Sequence, residues 1–130
     1  MTEKDLRNLE SVRRMYAGDS AEESVLSPDI VWHVPGHNPV SGTYQGFAEY
    51  TEVMPSRMAP LTRWEFHVEE VMPNGDYVAT IFRFQGERNG REVDLRGTHL
   101  MRLDDHGRVV EGWGFTSDQD QLDAFFSDSA

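Results

Sequence analysis

Between Arg63 and Thr116 the chain consists of extended segments separated by tight turns, and this constrains its fold more than any other feature. Trp64, Phe66 and Val68 alternate with Arg63, Glu65, His67 and Glu69, the period of a strand with one buried face. Pro73-Asn74-Gly75-Asp76 turns the chain into a second strand from Tyr77 to Gln85, and Asn89-Gly90 marks a hairpin into a third. In residues 91–103, Val93, Leu95, Met101 and Leu103 share one face, with Arg91, Asp94, Arg96 and Arg102 mostly on the other. Asp104-Asp105-His106-Gly107 is the third turn, and Arg108 to Thr116 the last long strand. A meander of this kind buries its apolar face only if helices cover it.

The helices are legible on either side of the meander. Thr2 with Asp5 resembles a capping box, and Leu6, Leu9, Val12 and Tyr16 recur at helical spacing, which predicts a helix over 3–17 ended by Gly18. Ser20 with Glu23 predicts a second, short helix carrying Val25 and Leu26 and stopping at Ser27-Pro28. Asp29 to Val34 reads as a strand punctuated by Pro35-Gly36, and residues 36–46 as a loop. Phe47, Tyr50, Val53, Met54 and Met58 form one helical stripe, with Pro55 expected to kink or shorten its last turn. Leu122, Phe125 and Phe126 are the apolar side of a terminal helix. The expected fold is α+β: one domain over residues 1–130, built as a strongly curved antiparallel sheet with the N-terminal helices on its concave face.

Composition narrows the partners. A net charge of −11, with twelve Lys and Arg scattered along the chain, repels phosphate backbones, so no nucleic-acid partner is expected. No apolar run approaches the roughly 20 residues that span a bilayer, and no membrane partner is expected. The absence of cysteine removes disulfides, thiolate metal sites and thiol nucleophiles. The start, Met1-Thr2-Glu3-Lys4-Asp5, lacks the features of a signal peptide, and a cytoplasmic location is the expectation. His33 and His37 have the i, i+4 spacing of a helical metal pair, but Pro35-Gly36 between them forbids that helix. No glycine-rich nucleotide loop or serine nucleophile elbow is present. Neither metal nor cofactor is expected.

Four stretches carry a family resemblance by their order and spacing: Asp29 to Gly36, Gly42-Thr43-Tyr44-Gln45-Gly46, His99-Leu100-Met101-Arg102, and Gly107 to Trp113 leading to Asp118. Together they resemble the ketosteroid isomerase and polyketide cyclase group of the nuclear transport factor 2 fold, the SnoaL-like subgroup best. The resemblance implies a cone-shaped, cystatin-like α+β roll that holds a hydrophobic small molecule, and an expected homodimer formed through the open sheet. It does not fix a reaction, because this fold hosts isomerases, cyclases, dehydratases and proteins without chemistry.

Three residues are candidates for acid–base work. His99 shares the inward register of Val93, Leu95 and Met101, so its imidazole is either a proton-transfer group in the cone or a hydrogen-bonded core histidine. In ketosteroid isomerases an aspartate base stands near the end of the strand equivalent to 29–34, before a proline; here His33 or Val34 occupies that neighbourhood and no carboxylate does. Alternation along this strand leaves open which face lines the cavity. Asp118 lies where SnoaL cyclases use an aspartate as acid and base, and with Gln121 it is equally a helix cap. Tyr16, Trp32, Tyr50, Phe82, Trp113 and Phe115 are the aromatic residues expected to hold a flat, oxygenated ligand. Arg96 is expected to face outward. The expected activity is cofactor-independent isomerase or lyase chemistry, and the alternative is a binding or dimerising module without turnover.

Overall fold

Helix α1 (Glu3–Ala17) begins where the sequence sets a reciprocal cap. Thr2 Oγ1 accepts from the Asp5 N–H at 3.0 Å while the Thr2 N–H donates to Asp5 Oδ2 at 3.1 Å, pairing two of the backbone donors that a helix start leaves open. Gly18 closes the helix in the left-handed region, at φ 78°. Leu9 and Val12 are buried, but Leu6 is 53% exposed. Polar contacts hold the first turn instead: the Gly75 N–H donates to Asp5 Oδ1, and Asn8 Nδ2 donates to the Gly75 carbonyl, both at 2.8 Å.

The computed structural model describes residues 1–18 and 25–128. Ser20 and Glu23, the expected cap of a second helix, lie outside the described residues. Leu26, assigned to that helix by its spacing, instead opens strand β1 (Leu26–Val34), and the Val25 carbonyl accepts the Val109 N–H at 2.7 Å. The pairing partner lies more than eighty residues away, so local periodicity could not reveal it. The expected loop over 36–46 contains strand β2 (Gly42–Gln45), antiparallel to β1. Tyr44 fixes it: its ring is 1% exposed and its hydroxyl donates to the Val40 carbonyl at 2.5 Å.

A wide π-helical turn (Glu49–Val53) precedes α2 (Met54–Met58). It lies where the Pro55 ring would otherwise meet the carbonyl of Thr51, so the proline widens the helix instead of ending it. The meander follows as β3 (Arg63–Asn74), β4 (Tyr77–Arg88), β5 (Arg91–Leu103) and β6 (Val109–Thr116), and α3 (Gln119–Phe126) comes last.

The strands form one six-stranded sheet in the order β2-β1-β6-β5-β4-β3. It is not wholly antiparallel, as expected from the meander, because β1 and β6 run parallel. The first strand returns beside the last, a crossover that adjacent turns do not encode. Register shifts between Val68 and Glu70 and between Arg102 and Leu103 bend the sheet.

The three α-helices of the described residues cover the same face. Val12 of α1 packs with Ile30, Trp32, Val78 and Met101, while Phe125 and Phe126 of α3 pack with Phe82, Phe84 and Val93. Met54 touches both groups. Three inward glycines accommodate aromatic rings: a Cβ on Gly112 would stand 2.1 Å from Trp32, one on Gly97 2.6 Å from Phe82, and one on Gly86 2.8 Å from Trp64. The rings occupy the space a Cβ would need, so the bare backbone lets them come close to the sheet. At one end Arg88, 2% exposed, donates to the Met58, Ala59 and Ser127 carbonyls and to Asp128. Every nitrogen of this buried cation donates, and together they tie β4 to the segment after α3.

Candidate functional site

The register of β5 carries His99 to the inner face, directly opposite Thr80 of β4 and Gly114 of β6. Four rings wall it. Phe82 lies 4.3 Å away between centroids, Trp32 stands edge-on at 4.9 Å, and Tyr16 and Phe66 lie nearly parallel to it at 6.0 Å each. Tyr16, the penultimate residue of α1, places its hydroxyl 2.8 Å from His99 Nδ1. Burial among these rings penalises the imidazolium and pushes the His99 pKa down to about 3. The histidine is therefore neutral throughout the physiological range.

His99 borders a cavity of about 320 Å³, within the size range of small-molecule sites. Trp32, Val34 and Pro35 form its wall on the β1 side, Trp64, Phe66, Phe82 and Phe84 that on the β3 and β4 side, and Met54, Met58, Leu122 and Phe126 its helical cover. No Asp, Glu, Lys or Arg lines it. In a chain with net charge −11, this segregation leaves the interior without a charge to pair an ion, which would be desolvated there without compensation.

The polar groups gather at one pole. Tyr16 occupies Nδ1 of His99, which leaves Nε2 as the ring nitrogen available to a ligand. The adjacent Cδ2 is 3.8 Å from where a Cβ on Gly114 would stand, and Gly114 itself lines the cavity. The missing side chain keeps that edge of the imidazole open. Tyr50 also lines the cavity, 5.1 Å from Trp32. Its hydroxyl has no hydrogen-bond partner among the described residues, and burial raises its pKa to about 12. Tyr16 is raised further still, by burial first, with the Thr80 hydroxyl acting in the opposite sense.

The other candidates separate from this pole. His33 lies on the outer face of the sheet, not in the cavity. Its partners there are Glu111 Oε2, 2.7 Å from Nε2, and Thr43 Oγ1, 3.2 Å from Nδ1. Trp113 is beside it, stacked at 5.5 Å, so Trp113 does not line the cavity either. The reason is the parallel register, which pairs Trp32 with Gly112 on the inside and His33 with Trp113 on the outside. Val34, the other position weighed against the isomerase base, does line the cavity and has nothing to titrate. Asp118 is exposed and caps α3, its Oδ1 accepting from the Gln121 N–H at 3.0 Å. Phe115 borders the cavity at its mouth while 54% exposed, and Arg96 reaches outward to Glu69. His33 and His37 gather no metal-ligating cluster; among the described residues no group of three His, Asp or Glu could hold an ion.

Sequence reasoning missed Asp123. Its Oδ1 accepts from Asn38 Nδ2 at 2.7 Å, from Gln119 Nε2 at 2.8 Å and from the His37 N–H at 3.1 Å. It thus fastens the loop carrying Val40 to the helix carrying Leu122, two walls of the cavity mouth. Only the three-dimensional approach of residues 38 and 123 reveals this.

A family profile described as the SnoaL-like domain matches residues 7–112. The chain belongs to the SnoaL-like family. Solved structures agree with the fold. A protein of unknown function with a cystatin-like fold from Xanthomonas campestris is 29% identical, with a TM-score of 0.77 over 92% of this chain and 98% of that one. Bal32a, from a soil-derived mobile gene cassette, is 24% identical, with a TM-score of 0.83 over 95% and 99% of the two chains. A candidate SnoaL-like polyketide cyclase from Jannaschia sp. CCS1 is 21% identical, with a TM-score of 0.78 over 100% and 98%. None of the curated proteins matches the chain. As a SnoaL-like protein it has the expected cone, and no helix of the described residues is long and apolar enough to cross a membrane.

Proposed function

We propose that this SnoaL-like protein binds a small, uncharged, mostly apolar carbonyl compound in its cone and catalyses a proton shift between carbon and oxygen, with His99 as the proton-transfer group. The observation that carries this is a neutral histidine, oriented by the Tyr16 hydroxyl at 2.8 Å, at the polar end of a cavity free of formal charge. With the carbonyl oxygen at the Tyr50 hydroxyl and the neighbouring carbon at His99 Nε2, that nitrogen would take the proton from carbon and return it to oxygen, beside hydrogen-bonding groups already fixed by packing, where water is excluded and such bonds act strongly. The aromatic walls would take the remainder of the molecule. Deuterium exchange at the carbon next to the carbonyl, followed over a panel of cyclic ketones, tests the reading. Replacing His99 by Gln should slow exchange by about a hundredfold or more; equal rates in both proteins would overturn it.

One observation favours the rival reading, a binder without turnover: no carboxylate lines the cavity, so the base used by related isomerases is missing. A ligand held equally by the native protein and His99→Gln, and released chemically unchanged, would decide for the binder. A homodimer through the outer sheet face belongs to the same proposal. Tyr77 and Met72 stand exposed there at 43% and 44%, and light scattering showing only monomer at micromolar concentration would count against it.

A further inference from the structure

The cover of the cavity has a seam. Pro35, which opens the loop between β1 and β2, and Leu122 of α3 both line the cavity. Directly beside them the loop and the helix are joined by two hydrogen bonds, from the His37 N–H and from Asn38 Nδ2, both to Asp123 Oδ1. Among the described residues no other hydrogen bond joins this loop to α3. Gly36 makes the close approach possible, since a Cβ there would stand 2.3 Å from Asp123 Oδ1 and 2.1 Å from Gln119 Nε2.

The two sides of the seam are held unequally. Helix α3 is fixed along its length: the Ser117 N–H before it donates to the Arg96 carbonyl at 2.8 Å, Phe125 and Phe126 are buried, and Arg91 Nη1 donates to the Ala124 carbonyl at 3.1 Å. The loop is braced within itself, Ser41 Oγ donating to the Pro35 carbonyl at 2.9 Å and the Val40 N–H to Asn38 Oδ1 at 2.8 Å. Its far corner is pinned where the Tyr44 hydroxyl meets the Val40 carbonyl. The near edge, residues 36–38, depends on Asp123. His37 is exposed and Asn38 and Asp123 are half-buried, so water can replace these bonds when the edge lifts.

We propose that residues 36–38 form a flap latched by Asp123, whose lifting opens the cavity between Pro35 and Leu122 and sets the rate at which a guest enters and leaves. Of the residues lining the cavity only Trp64 and Phe115 are exposed, at 36% and 54%, so a guest that fills it has little room to pass while the seam is closed. Asp123 itself does not line the cavity. A latch that touches no guest weighs on entry and exit alike. Releasing it should therefore speed association and dissociation by the same factor and leave Kd unchanged. The flap presupposes the cone as a chamber for an uncharged carbonyl compound, the reading proposed above, but not the proton shift.

The test is fluorine NMR exchange spectroscopy with para-fluoroacetophenone, an uncharged aryl ketone, which yields both rates. Asp123→Ala should raise each by about tenfold, the weight of one hydrogen bond to a charged group, with Kd as in the native protein. Asp123→Asn, which keeps an acceptor oxygen and the shape of the side chain, should fall between. Hydrogen exchange at the Phe125 and Phe126 amides should stay native in both variants; faster exchange there would mean that α3 has loosened as a whole and would overturn the flap. Unchanged rates would overturn it too, and so would a change in dissociation alone, the mark of a residue that holds the guest. Native association at the encounter limit, about 10⁹ M⁻¹s⁻¹, would do the same without any variant having to fold. A ketone that binds none of the proteins would remove the chamber and the flap together, whereas a bound ketone whose carbon-bound protons never exchange would remove only the catalytic reading.

Discussion

The Tyr16 hydroxyl stands 2.8 Å from His99 Nδ1 and joins the end of the first helix to the middle of the fifth strand. Replacing Tyr16 by Phe removes the only hydrogen-bonding partner of that nitrogen among the described residues while keeping the stacked ring. The expected loss of stability is about 1–2 kcal/mol, read by urea denaturation. Ketone exchange should fall with it, because the imidazole is no longer oriented.

Burial gives His99 a distinctive pH signature. The unfolded chain takes up a proton at this side chain near pH 6.5, whereas the folded protein resists it until about 3. Above the unfolded value the group is neutral in both states and contributes no pH dependence. As pH falls below it, the unfolded state binds the extra proton and stability declines. Relative to His99→Phe, the native protein should lose roughly 2–3 kcal/mol between about pH 7 and pH 4.5. Parallel curves for the two proteins would contradict the low pKa.

The outer histidine should behave differently. His33→Gln breaks the contact to Glu111 Oε2 at 2.7 Å, a pair partly open to solvent and worth about 1 kcal/mol or less. The hydrogen bond from His33 holds the Glu111 carboxyl below its ordinary range, so this small contribution is present at neutral pH and fades as acid protonates Glu111. Ligand binding in the cone should be unchanged; a large loss would return His33 to the site.

Two neighbouring inward glycines should separate packing from access. Gly112→Ala drives a methyl to within 2.1 Å of Trp32 and should cost about 1–3 kcal/mol through displacement of the indole. Gly114→Ala meets nothing nearer than 3.8 Å and should leave thermal stability within about 0.5 kcal/mol of native. Gly114→Leu should instead fill the space beside His99 and abolish ligand binding without unfolding the chain, measured by calorimetry beside circular dichroism.

Asp118→Ala tests the capping role. Loss of the bond to the Gln121 N–H should cost about 1 kcal/mol, with Asp118→Asn retaining most of it. Ketone exchange in both variants should match the native rate, since the carboxylate is exposed and apart from His99.

These contrasts show what the chain discloses on its own. Period-two alternation located the four meander strands and put His99 inward, because both signals are local. His33 could not be placed, since apolar residues stand on both faces of β1 and only the parallel pairing with β6 tells inside from outside. The same long-range pairing concealed β2 and the true start of β1. Asp123 was silent for a related reason. An aspartate in a helix is ordinary until the residue opposite it is known.

The bare backbone at Gly114 has a bearing on how such a cone could change its guest. Its hydrogen is the only feature of that residue facing the imidazole edge, and the strand hydrogen bonds on either side do not depend on it. A single carbon added there would trim the chamber next to the reacting group while leaving the ladder, the caps and the Tyr16 contact as they are. Selectivity in this architecture could therefore drift in steps of one methyl, independently of the machinery that holds the proton.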